Sequence, residues 1–232
     1  MAIMTLGRSG KKTVSSRPNL PVRVNLAAWY RYRVGVTNIS GAASAWADQS
    51  GNNRPLLQAT ASARPSVRSD GALVFDGSND AMAAAFTLAQ PLTIYLAFQQ
   101  LTWTSGDILL DGSTGTVKVS QATGSPGLTA NAGSSLTNNT SIPLTSPGVF
   151  AFVANGTSSV YQAAGGAASV TVTGDAGANT AGGITLGSDR SAGNFSNIAV
   201  FEMAVYSVAH DAPTRLSILR YLARKAHVGG VT

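Results

Sequence analysis

Trp103 and Asp107 stand four residues apart in the segment QLTWTSGD. An indole face is flat and apolar and suits the C–H face of a pyranose, while a nearby carboxylate accepts a sugar hydroxyl. This pair is the candidate glycan contact. A tryptophan capping the end of a β-structure is the competing reading. The turn FDGSND offers Asp76, Asn79 and Asp80 as hard oxygen ligands for calcium. The same residues also make a turn whose side chains bond their own backbone. The turn is preferred, so no metal and no cofactor is expected.

Glycoside hydrolysis needs two carboxyl groups about 5 to 9.5 Å apart on either side of the scissile bond. The chain has one glutamate, Glu202 in AVFEMAVY, whose expected role is that of a hydrogen-bonded group on a strand. His210 and His227 fit no HxxH or HExxH spacing, cysteine is absent, and no GxSxG occurs, which removes the usual zinc and serine-nucleophile arrangements. No catalytic residue is assigned, and the chain is expected not to be an enzyme.

The elements that must position these residues are short apolar runs broken by turn formers. LAAWYRY, ALVFDGSND, PLTIYLAFQQL, DILLDGSTG, VFAFVA, SVTVTG, GITLGSD and NIAVFEMAVY read as strands. Asn155-Gly156 is a hairpin signal. Many short strands at close spacing indicate a sandwich or a barrel. One helix is expected near 211–227, with Asp211 as N-cap and Pro213 in its first turn. Leu216, Leu219, Leu222, Ala223 and Ala226 form its sheet-facing stripe, Arg220 and Arg224 lie on another face, and Gly229 and Gly230 stop it.

Residues 1–25 lack periodicity and read as an extended basic arm preceding a domain at 26–232. Arg8, Lys11, Lys12, Arg17 and Arg23 are its candidate contacts to an acidic partner. The net charge of +6 is uneven: residues 1–68 hold ten Lys and Arg against one Asp. The basic residues are not interleaved with aromatics and no nucleic-acid motif occurs, so nucleic acid is not an expected partner. Charged residues are only 11% of the chain, against an ordinary share of about 25%. Met1–Gly10 does not read as a secretory signal, and no apolar run reaches the roughly 18 residues of a membrane span. The expectation is a soluble product made in the cytoplasm.

Trp46, Asp48, Gln49, Ser50, Gly51 and Asn52, then Gln58–Thr60, Ala63–Pro65 and Phe75–Asp80, follow one another in a telling order. Glu202 to Tyr206 and Tyr221-Leu222 complete the pattern. Over residues 26–226 the chain resembles the laminin-G-like branch of the concanavalin A-like lectin/glucanase superfamily. The resemblance implies an all-β, two-sheet antiparallel jelly-roll sandwich with one short C-terminal helix. It also implies adhesion or glycan binding, as in modules of bacterial surface and bacteriophage particle proteins. The glucanase relatives use an E-x-D-x-x-E strand motif that this chain lacks. The expectation is therefore a non-enzymatic decorating protein of a bacteriophage or virus-like particle, located in the virion. Its arm would hold capsid or tail proteins within a homo-oligomer or larger assembly. The alternative is a glycan-binding module for a cell-surface polysaccharide, and both could coexist on a particle that touches host sugars.

Overall fold

A computed structural model of the chain describes residues 19–138, 142–166, 168–229 and 231. In chain order the first strands are β1 (Leu26–Tyr30), β2 (Val36–Ile39), β3 (Ala42–Trp46), β4 (Leu56–Leu57), β5 (Ser66–Val67) and β6 (Leu73–Asp76). Next come β7 (Met82–Ala85), β8 (Leu92–Gln100), β9 (Ile108–Asp111), β10 (Lys118–Gln121), β11 (Leu128–Asn131) and β12 (Ser135–Asn138). The last are β13 (Pro147–Ala154), β14 (Ser159–Gly165), β15 (Ala168–Gly174), β16 (Gly183–Leu186) and β17 (Asn197–Tyr206), followed by the helix α1 (Ala212–Ala226).

Every pairing between these strands is antiparallel, and the ladder is continuous. One limb runs β15, β14, β13, β8, β17. β17 then pairs with β1 along one half and β6 along the other. The short strands β5 and β3 carry the ladder from β6 round to β4. The second limb continues β4, β7, β16, β9, β10, β11, β12. β12 comes back against β15, so the sheet nearly closes on itself. Among the described residues the 17 strands form one nearly closed, barrel-like sheet rather than the two clearly separate sheets expected. The two-residue strands β4 and β5 make the difference, because they bridge the edge that a separated pair of sheets would leave open.

Strand alternation divides the side chains. Leu92, Ile94, Leu96 and Phe98 of β8 join Phe150, Ile184 and Val200 in the core between the two limbs. Tyr95 and Ala97 face the other way and pack under α1 with Tyr206, Leu219 and Leu222. Fully burying one such leucine is worth roughly 1.5–3 kcal/mol. In β17 the alternation slips once. The β17–β8 register shifts between Val200 and Glu202. Val200 and Met203 face the core, and Phe201 lies on the helix side. The bulge turns Glu202 to the helix side as well.

The helix occupies the expected stretch. Asp211 Oδ1 accepts from Thr214 N at 3.0 Å, and Pro213 lies in the first turn. The expected stripe is corrected at two points. Leu216 is only half-buried, while Ile218 and Tyr221 are buried instead. The helix ends at His227, which takes the left-handed conformation with φ of 56°, before the glycines expected to stop it. Of the arm, residues 1–18 lie outside the described residues, and with them Arg8, Lys11, Lys12 and Arg17. Residues 19–25 lie on the domain: Leu20 is buried under α1, and Tyr206 donates its hydroxyl to Val22 O at 2.8 Å. Among the described residues no helix is long and apolar enough to cross a membrane.

Candidate functional site

The motif around Asp48 locks a turn. Its Oδ1 accepts from the backbone N–H of Trp29 at 2.9 Å and of Ser50 at 2.8 Å. Its Oδ2 accepts from Ser50 Oγ at 2.7 Å and Arg54 N at 3.1 Å. Trp46 is buried and donates its indole N–H to Arg31 O and Val34 O. Arg23, expected to reach a partner, donates to Gln49 O at 3.2 Å and stacks 5.5 Å from the centre of the Trp29 ring.

FDGSND also closes on itself. Asp76 Oδ1 accepts from Ser78 N at 2.8 Å and Asn79 N at 3.3 Å. Asp80 Oδ2 accepts from Asp76 N at 3.1 Å. Asp80 is 6% exposed. Burial pushes its carboxyl up to about 6, aided by the nearby Asp76 charge and opposed by the Asp76 backbone hydrogen bond.

Trp103 lies half-buried in the loop between β8 and β9, and its indole Nε1 is shielded from solvent without a hydrogen-bond partner among the described residues. Two glutamines that the sequence reading passed over hold this loop. Gln121 donates to Gln100 Oε1 at 2.9 Å and to Thr102 O at 2.8 Å, and its own Oε1 accepts from Thr104 N at 2.7 Å. Gln100 donates to Pro126 O and Ile142 O, both at 3.0 Å. Glutamine at the end of an apolar strand was the available signal. Burial raises the Asp107 carboxyl, against a hydrogen bond from Thr104. Gln100 and Gln121 therefore fix the backbone of the loop that carries Trp103, and the Trp103 indole nitrogen is buried in it.

At the opposite end, where β7 leads into β8, a groove of about 510 Å³ opens. Phe86, Thr87, Leu88, Thr114, Thr180 and Gly182 line it. Three backbone segments form its wall, and hydrogen bonds fix all of them. Ala181 N and Gly182 N both donate to Leu88 O at 3.0 Å. Thr114 N and Gly115 N both donate to Ala181 O at 3.2 Å. Phe86 N donates to Gly182 O at 3.3 Å, and Ser113 Oγ donates to the same carbonyl. Two glycines permit this approach. A Cβ at Gly182, whose φ is +64°, would stand 1.7 Å from Thr114 Oγ1, and one at Gly115 would stand 2.0 Å from Thr180 O. Phe86 is half-buried, and Arg54 covers its ring at 4.5 Å from the centroid. The result is a preformed concavity with an apolar floor, Phe86 and Leu88, and a rim of three threonines. Sequence reading missed it because small and apolar residues in three distant segments carry no motif.

No family model matches the chain, and no curated protein matches it in sequence. Solved structures do share its fold. A GH54 α-L-arabinofuranosidase soaked with 4-nitrophenyl α-L-arabinofuranoside matches 82% of this chain and 53% of its own, with a TM-score of 0.62 and 14% identity. An arabinofuranosidase complexed with arabinofuranosyl-α-1,2-xylobiose matches with a TM-score of 0.60, 14% identity and coverage of 82% and 52%. A Trypanosoma rangeli sialidase in complex with sialic acid matches 89% of this chain and 34% of its own, with a TM-score of 0.59 and 14% identity. The chain thus spans about half the length of the arabinofuranosidases and a third of the sialidase.

Likeness at this identity shows the fold alone, and it corrects three expectations. The matched folds are those of glycoside hydrolases, so the assignment to a laminin-G-like bacteriophage domain does not stand. The decorating particle protein falls with that assignment, which leaves the virion as its location without support. A fold that glycosidases carry also gives no ground for excluding catalysis, so the expectation of a chain without enzymatic activity is withdrawn.

Proposed function

We propose that this chain is a carbohydrate-active domain that engages a glycan in the groove between Phe86 and Thr180. The observation that carries the reading is the groove itself. Its volume of about 510 Å³ falls in the ordinary range for ligand sites, about 300–1,000 Å³. Its floor is apolar and its rim bears hydroxyls, which is what a sugar ring asks for. The fold it shares with arabinofuranosidase and sialidase structures supports the same class of ligand. In this reading the nearly closed sheet is a jelly-roll sandwich, its limbs forming the two layers that face each other across the core.

The test is a panel of oligosaccharides, pentose-containing and hexose-containing, offered to the full chain. Binding and release of reducing sugar are measured together. Binding by the wild type that falls about tenfold or more in Phe86→Ala, with an unchanged melting curve, supports the groove. Binding that survives Phe86→Ala and Thr114→Val alike contradicts it.

A further inference from the structure

A second cavity lies where the loop after β1 meets the last turn of α1. It measures about 300 Å³ and is lined by Arg31, Tyr32, Arg33, Arg224, Lys225 and His227. Four of these carry fixed positive charge, and the lining includes no carboxylate. Part of the charge suits the helix, since cations near a helix C-terminus complement its dipole. That accounts for Arg224 and Lys225. It does not account for Arg31 and Arg33, which come from a different element.

The neighbouring carboxylates are already engaged. Asp70 is bound by Arg68 at 2.7 Å. Glu202 accepts from Trp29 Nε1 and the Tyr221 hydroxyl, both at 2.7 Å, and from Tyr32 N at 3.2 Å. Among the described residues Arg31, Arg33 and Arg224 form no ion pair. The strongest sign is at Arg31. Its guanidinium lies 5.2 Å from the Trp29 ring centre, and its Nη2 is shielded from solvent with no hydrogen-bond partner among the described residues. A buried donor left unmade is costly, so it calls for an acceptor.

We propose that this cavity binds the oxyanion group, carboxylate or sulfate, of an acidic glycan. Guanidinium forks match planar oxyanions in a bidentate manner, and arginines from two elements converge here. The volume is at the low end for a ligand site, which fits one charged substituent or sugar residue rather than a length of peptide. The oxyanion chemistry rests on the cavity alone, whereas its assignment to a glycan rests on the carbohydrate reading above.

Calorimetric titration of the full chain separates these parts. The probes are inorganic sulfate, an oligogalacturonate, a neutral oligosaccharide that binds the groove, and a hexaglutamate peptide. Oligogalacturonate is expected to bind, sulfate to compete with it, and rising salt to weaken it. Arg31→Gln and the exposed Arg224→Gln are each expected to lower its affinity about tenfold and to leave neutral-oligosaccharide binding unchanged. Arg224→Gln serves alone where Arg31→Gln disturbs folding. Phe86→Ala is expected to spare oligogalacturonate binding, so a failed groove and a failed anion site give different patterns. Oligogalacturonate affinity untouched by Arg224→Gln would overturn the site. Hexaglutamate binding as tight as oligogalacturonate would overturn its assignment to a glycan.

Discussion

Glu202 Oε1 accepts the Tyr221 hydroxyl at 2.7 Å, joining the bulge of β17 to the middle of α1. The same oxygen takes the Trp29 indole N–H, so one carboxylate ties the first strand, the last strand and the helix. Glu202 is fully buried, and burial raises the Tyr221 phenol well above its ordinary range, with the Glu202 charge adding to the effect. Tyr221→Phe leaves the carboxylate one donor short. It is expected to cost about 1–3 kcal/mol, read as a lower urea midpoint with an unchanged slope. Glu202→Gln is expected to lose at least as much, because whichever way the amide turns its nitrogen faces an N–H donor that the carboxylate had accepted. A Tyr221→Phe protein as stable as the wild type would show that the helix does not depend on this bond.

Asp80 makes stability depend on pH in a definite direction. Its carboxyl sits at about 6 in the folded chain, raised from an ordinary 3.8 chiefly by burial. Between those values the unfolded chain has lost this proton while the folded chain keeps it. The contribution from Asp80 is therefore greatest below about pH 4, declines as pH rises to about 6, and is flat above that. Melting temperatures of the wild type and Asp80→Asn measured from pH 4 to 7 check this. The difference between them should change across that window and not beyond it.

Most of the architecture could be read from residues. The alternation in PLTIYLAFQQL and the capping at Asp211 are local signals, and β8 and α1 formed where those signals lie. The bulge at Glu202 and the closure through β4 and β5 depend on partners more than a hundred residues away or on strands of two residues, which no periodicity reports. Asp76, Asn79 and Asp80 were legible because an Asx turn is written in neighbouring residues. The groove was not. Phe86, Thr114 and Thr180 come together only because Gly115 and Gly182 let their loops touch, and isolated glycines in a chain with 25 of them do not stand out.

Gly182→Ala tests that contact. The residue holds φ of +64°, and its new Cβ would meet Thr114 Oγ1 at 1.7 Å. A left-handed conformation for a non-glycine residue costs about 1–3 kcal/mol, and the wall must also shift. The expected result is a melting temperature lower by roughly 2–12 °C together with weakened oligosaccharide binding. Gly51→Ala shares a positive φ but has open space around it, and should lower stability without touching binding.

Trp103 separates the two ends of the sheet. Its ring is half-buried and its indole nitrogen is shielded, so Trp103→Ala should behave as a packing change. A loss of about 2–4 kcal/mol is expected for truncating a large, partly buried aromatic, with oligosaccharide affinity held within twofold. Affinity that collapses while the fold persists would return the glycan contact to Trp103 and Asp107.

The most direct measurement is a backbone amide chemical-shift map of the full chain titrated with the tightest-binding neutral oligosaccharide. Perturbations should centre on Phe86, Thr87, Leu88, Thr114, Thr180 and Gly182 and fade toward the Trp103 loop. Perturbations confined to residues 101–107, or a map that stays unchanged with every oligosaccharide in the panel, would contradict the assignment of the groove.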